Sequence, residues 1–175
     1  MAIVPHPHTP LHTPATPYTG RRWPSRIYPG ELARTAWMRT DLAVDLSRLA
    51  GMDQETIENM VLCASEMFAN ACDHSRSGQD PEGRIIRTLH MPTHATIQVA
   101  IVDDGNRTDI AEPTGPKIPH ERTLEEWEQA ERGRGLLLIH YLAERWGTRS
   151  VLDFPFCAGL GTVIWAEFTL GGGQA

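Results

Sequence analysis

Lysine is almost absent from this chain: Lys117 is the only one in 175 residues, and 16 Lys and Arg face 22 Asp and Glu for a formal net charge of −6. That balance leaves no global basic footprint of the kind that points to nucleic acid, and simple solubility accounts for the acidity. Cysteine is scarce too. Cys63, Cys72 and Cys157 are odd in number and set in apolar surroundings. They read as small buried hydrophobes in a reducing compartment rather than a disulfide framework. Cys63 and Cys72 share one expected helix, too far apart along it to bond to each other. No apolar run is long enough to cross a bilayer; Leu136 to Ile139, for instance, ends at His140. The N-terminus shows no charged n-region followed by an apolar h-region, so no secretory signal is expected. A cytoplasmic location without membrane contact is the resulting expectation.

What is present fits one domain with a sizeable core plus tails: 41% of residues are hydrophobic and 22% charged. Residues 1–25 carry Pro5, Pro7, Pro10, Pro14, Pro17 and Pro24 among Thr and His. Such a stretch favours extended, solvated backbone, and a disordered arm is expected there. His6, His8 and His12 lack a Cys or acidic partner that would complete a metal site. Residues 26–170 form the expected domain, and 171–175 a Gly-rich flexible tail.

Pro29-Gly30 and Gly51 bracket a helix from about Glu31 to Ala50, with Leu32, Ala36, Ala43, Leu46 and Ala50 as its apolar face. A second helix starts at Asp53, a good N-cap, and runs to about His74. Ser75-Arg76-Ser77-Gly78 through Gly83 reads as a turn-rich connection. Strands follow at Arg84 to His90 and Thr96 to Val102, the latter alternating Ile97, Val99 and Ile101 with Gln98, Ala100 and Val102. His90 and His94 fall in the expected hairpin loop. Residues 104–132 are a long Pro-, Gly- and charge-rich excursion with a short helix candidate at Thr123, and such excursions are often lids. A helix from Leu136 to about Trp146, a strand near Thr148 to Asp153 and a last strand from Thr162 to Phe168 complete the pattern. The fold class is therefore α+β, a mixed, mostly antiparallel sheet with helices on one face.

Within the second helix, Glu66, Asn70 and His74 recur every fourth residue. At about 100° per residue this puts a carboxylate, an amide and an imidazole on one stripe. The adjoining stripe of Ile57, Met60, Val61, Ala64, Met67, Phe68 and Ala71 is apolar and must face a core. Alone, the polar stripe would be an ordinary solvated face.

Three further motifs follow in order. Asp103-Asp104-Gly105 ends a strand with a carboxylate that can accept from an exocyclic amine, and a glycine that admits a ligand to the backbone. Gly133-Arg134-Gly135-Leu136 opens a helix, where free amides and the positive dipole end favour an anion. It is neither a P-loop nor a dinucleotide fingerprint. Gly159-Leu160-Gly161-Thr162 feeds the last strand, where Thr162 can hydrogen-bond a base or a bridging water. Each is a plain turn in isolation.

Taken in register, a helix with Glu-x-x-x-Asn, a strand ending Asp-x-Gly, a long lid, Gly-x-Gly at a helix start and Gly-Thr at a strand start resemble the Bergerat-type ATP-binding fold of the GHKL superfamily. Within it, the chain is similar to the anti-sigma-factor serine kinases over about residues 26–170, on Ala64-Ser65-Glu66, Asn70-Ala71, His74, Val102-Asp103-Asp104-Gly105, Gly133-Arg134-Gly135-Leu136, Trp146-Gly147 and Thr162-Val163-Ile164-Trp165-Ala166-Glu167.

The resemblance implies a single two-layer ATP-binding domain with an ATP lid, and ATP and Mg²⁺ as cofactors. Asn70 takes the place of the Mg²⁺ ligand and Glu66 that of the general base. Asp103 matches the residue that reads adenine, Gly105 the glycine beside the base, and Thr162 the threonine near it. Gly133, Arg134, Gly135 and Leu136 match the phosphate side of the lid. His74 is placed to reach phosphate or ribose, or to cap its helix. The implied function is a protein serine kinase acting as an anti-sigma-type regulator, with a STAS-type anti-anti-sigma protein and a sigma factor as partners. The first helix with Trp37 or Trp23 is a dimer or partner surface by analogy. Position 107 departs from the pattern, being Arg where a second glycine is common. That leaves open a nucleotide-gated binding module without phosphotransfer. An ATP hydrolase driven by dimerisation fits less well, since no transducer domain is expected after residue 175.

Overall fold

The computed structural model describes residues 20–105, 134–151 and 161–170. The expected lid, its helix candidate at Thr123, and Lys117, Gly133, Cys157 and Gly159 lie outside these residues. Among the described residues the chain forms α1 (Thr35–Ser47), α2 (Gln54–His74), the one-turn α3 (Arg76–Gln79) and α4 (Arg134–Leu142). The strands are β1 (Arg26–Pro29), β2 (Arg84–Thr93), β3 (Thr96–Asp103), β4 (Arg145–Ser150) and β5 (Thr162–Thr169). The sheet order is β1-β2-β3-β5-β4, and among the described residues every pair is antiparallel rather than mixed. No described helix is long and apolar enough to cross a membrane.

The core lies between one face of the sheet and the helices. Ile97, Val99 and Ile101 of β3 are fully buried, as the alternation requires, and meet Met60, Ala64, Met67 and Phe68 of α2, also fully buried. Asp53 caps α2 as expected: its carboxylate accepts from the Thr56 amide at 2.7 Å and from the Thr56 hydroxyl at 2.8 Å. Cys63 and Cys72 are free and buried on the same helix. Burial pushes their thiols up to about 12 and about 11, with the Glu66 carboxylate adding to the first and Asp73 to the second.

Several local expectations are corrected. The buried face of α1 is Met38, Leu42, Asp45 and Leu46, whereas Leu32 is exposed and Ala36 and Ala50 face solvent. The Tyr28 ring, edge-on to Trp37 and Phe68, sets that rotation from β1, an element with no local signal. His90 is a strand residue opposite Gln98, because β2 continues to Thr93 through an irregularity in register. α4 ends at Leu142, and Trp146 belongs to β4, where it pairs with Ala166. The connection after His74 contains α3. Arg21 and Trp23 lie before the expected boundary at residue 25, yet their backbones bond to Met91 and Leu89 at 2.8 and 3.0 Å.

Candidate functional site

α2 carries the polar stripe along the edge of its buried face. Met67, Phe68 and Ala71 point into the core, which leaves Glu66 and Asn70 half-buried one turn apart and His74 exposed at the last turn. Helix capping at this end falls to Ser75, whose hydroxyl donates to the Ala71 carbonyl at 2.7 Å.

α4 packs its start against this stripe. A Cβ placed on Gly135 would overlap Glu66 Oε2 and lie 3.2 and 3.3 Å from Glu66 Cβ and Cδ. Only a glycine lets the helix start approach that carboxylate so closely. The first amides of a helix have no intrahelical partner, so the donor end of α4 and the Glu66 side chain share one place. Leu136, partly buried against the core, and Ile139, fully buried, hold α4 there. Arg134 begins the helix.

The third part of the site is the end of β3. Asp103 lies opposite Thr162 of β5, and its Oδ1 accepts from the Gly105 amide at 2.7 Å. Burial raises the Asp103 pKa above the usual carboxylate range, opposed by backbone hydrogen bonds from Gly105 and Thr162 and reinforced by the Asp104 charge. Gly105 has φ +68° and Gly161 φ +150°, conformations that favour glycine. A Cβ on Gly105 would stand 3.3 Å from Gly161 Cα, and one on Gly161 would overlap the Asp103 carbonyl oxygen. The Gly-rich turn before β5 is therefore pressed against the Asp-Gly corner. A carboxylate accepts more than two hydrogen bonds, and an exocyclic amine is the kind of donor that would fit this partly desolvated corner.

A family model shows which family the chain belongs to. The histidine kinase-like ATPase domain matches residues 28–152, most of the chain. The chain belongs to the histidine kinase-like ATPase family. Its α+β fold, with helices on one face of a five-stranded antiparallel sheet, agrees with an ATP-binding domain of that family. A comparison with curated proteins gives no match.

Membership brings nucleotide binding with it, and the donor set here fits the group. Half-buried Asp103 would serve as an acceptor for a base, and the Gly135 helix start would offer amides to phosphate. Among the described residues, no group of three His, Cys, Asp or Glu side chains could hold a metal by itself. The structure brings Glu66 to Gly135, and Asp103 to Gly105 and Thr162. Arg76, Ser77 and Asp104 are additions that the sequence did not single out for a role. Asp104 is exposed, but it bonds to a buried serine. The turn Ser75-Arg76-Ser77-Gly78 carries no local signal of that bond.

Proposed function

We propose that the chain is an ATP- and Mg²⁺-dependent protein serine kinase of the anti-sigma type, acting on a serine of a small STAS-type partner and on a sigma factor as second partner. The observation that carries the reading is the seating of Glu66 against Gly135. It puts a carboxylate beside the start of a helix, the end that in this reading meets phosphate, one turn from the Asn70 amide. A serine hydroxyl delivered there meets a proton acceptor and an anion site together.

In this account Asp103 accepts from the adenine amino group, with Thr162 beside the base. The α4 amides at Gly135 and Leu136 hold phosphate, with Gly133, Arg134 and His74 at its margin. Asn70 would hold Mg²⁺ through its amide oxygen, and the bound ion would neutralise phosphate charge. Glu66 accepts the serine proton as the serine oxygen bonds to the γ-phosphorus and the bond from that phosphorus to the departing ADP oxygen breaks. Positioning and charge neutralisation supply most of the rate. Arg107, where a glycine is common in such domains, favours a second reading as a nucleotide-gated module that sequesters a partner without phosphotransfer.

The test uses ATP labelled at the γ-phosphate, Mg²⁺ and STAS-type proteins of the organism that makes this chain. Transfer to one of their serines, lost in Glu66→Gln while ATP still binds, supports the kinase. Nucleotide-dependent binding of a partner with no transfer supports the module instead.

A further inference from the structure

Ser75-Arg76-Ser77-Gly78 lies between the stripe of α2 and β2, and its hydrogen bonds reach forward to the end of β3. Ser77 is fully buried although polar. Its hydroxyl lies 2.7 Å from the Arg84 carbonyl and 3.0 Å from Asp104 Oδ2, and it accepts from the Asp104 amide at 2.9 Å. One hydroxyl proton thus serves two acceptors. Arg76 adds its Nε and Nη2, which donate to the Asp104 carbonyl at 3.0 and 2.7 Å, while its backbone amide donates to the Gly105 carbonyl at 2.9 Å. Close backbone packing fixes the turn: a Cβ on Gly30 or Gly83 would overlap the Ser77 carbonyl oxygen, and one on Gly78 the Cys72 carbonyl oxygen.

These bonds converge on the two residues after Asp103. The Gly105 amide donates to the Asp103 carboxylate, the Arg76 backbone amide holds the Gly105 carbonyl, and the Arg76 side chain holds the Asp104 carbonyl before it. On the other side, Ser75 joins the turn to α2, accepting from the Ser77 amide at 3.2 Å and donating to the Ala71 carbonyl. A chain of hydrogen bonds therefore runs from the residue after Asn70 to the residue after Asp103.

We infer that Ser77 and Arg76 are positioning residues for base recognition, setting the Asp103 carboxylate relative to Asn70 and so the preference for adenine over guanine nucleotides. This rests on the nucleotide site proposed above. A carboxylate in a corner is selective only when its direction is fixed, since a swivelling acceptor can turn to meet other donors. The turn supplies that fixity from outside the pocket.

The test is calorimetric titration of the full chain with ATP and with GTP, both with Mg²⁺, for wild type, Ser77→Ala, Arg76→Ala and Arg76→Lys, alongside thermal melts. Arg76 is exposed, so its variants report even where Ser77→Ala does not fold. ATP affinity should fall roughly fivefold for each hydrogen bond lost, with GTP little changed, so that the ATP preference shrinks. Arg76→Lys should recover part of it, since one donor remains. Folded variants that melt earlier but keep the wild-type ATP preference would overturn the inference and leave the nucleotide site standing. A wild type that binds neither nucleotide would remove the site and the inference together.

Discussion

Asp45→Ala should be among the most damaging single changes available in this chain. Arg87 of β2 is fully buried on the helix side of the sheet, and its Nη2 lies 2.5 Å from Asp45 Oδ2 on α1. Its Nε and Nη1 have no hydrogen-bond partner among the described residues. Arg26 Nη2 stands 3.6 Å from the other Asp45 oxygen, and Tyr28 donates to Asp41 at 3.1 Å, so α1 is tied to β1 and β2 through charge. Removing the Asp45 carboxylate strands a buried guanidinium beside a second cation. Breaking a buried pair in this way costs about 3–5 kcal/mol. For a chain of this size that corresponds to a fall in Tm of roughly 10 °C. Replacing both partners, as Asp45→Leu with Arg87→Met, should restore much of the loss, because the pair's desolvation cost goes with its attraction. Urea unfolding of the three proteins is the assay, with melts as a check. A loss below about 1 kcal/mol in Asp45→Ala would refute the buried-pair reasoning. None of the proposed site residues lies on α1, β1 or β2, so ATP affinity of the folded variant should be unchanged.

Burial makes folded Asp103 hold its proton to higher pH than the unfolded chain does. The associated stability is full below the unfolded value, near 4, and is lost as pH rises through the folded value. Asp103→Asn keeps an acceptor for the Gly105 amide, so it should match wild type at about pH 3 and exceed its stability at neutral pH. Urea midpoints at both pH values check this, and a variant weaker at neutral pH contradicts it. Gly135→Ala should leave stability nearly level, because about 1 kcal/mol of helix propensity offsets the overlap with Glu66. Displacing that carboxylate should nonetheless slow phosphotransfer about a hundredfold with ATP affinity largely kept, and equal loss of both would argue against the assigned role. In a Cys157→Ser background, the Cys63 and Cys72 thiols, raised to about 12 and about 11, should ignore a disulfide reagent at mildly alkaline pH until the chain unfolds. Prompt reaction without denaturant would show that α2 opens more readily than its burial implies.

Features written in local sequence were legible; those written across distance were not. Asp53 before an amphipathic run announces α2, and the alternation around Val99 announces β3, because capping and pleat are short-range physics. β1 has only four residues, and Ile27 finds its partner Ile86 far along the chain. The end of α4 is similar: the apolar pattern from Leu136 runs on toward Trp146, but cross-strand pairing with β5 claims Arg145 onward. Nothing local marks Arg87 as buried, because its partner Asp45 lies on a helix far back in the chain. The same division holds at the site. Glu66 and Asn70 are legible because one helix spaces them. The contact of Glu66 with Gly135, and the anchoring of Asp104 by Ser77, join segments that no periodicity connects.

The central claim is a nucleotide site with Asp103 on the base and Glu66 at the reacting end. Calorimetry of ATP with Mg²⁺ on wild type, Asp103→Asn and Glu66→Ala tests it most directly. Binding to wild type and Glu66→Ala, with none to Asp103→Asn, is the predicted result. A wild type that fails to bind at nucleotide concentrations of about 1 mM, where even weak sites register, would contradict it.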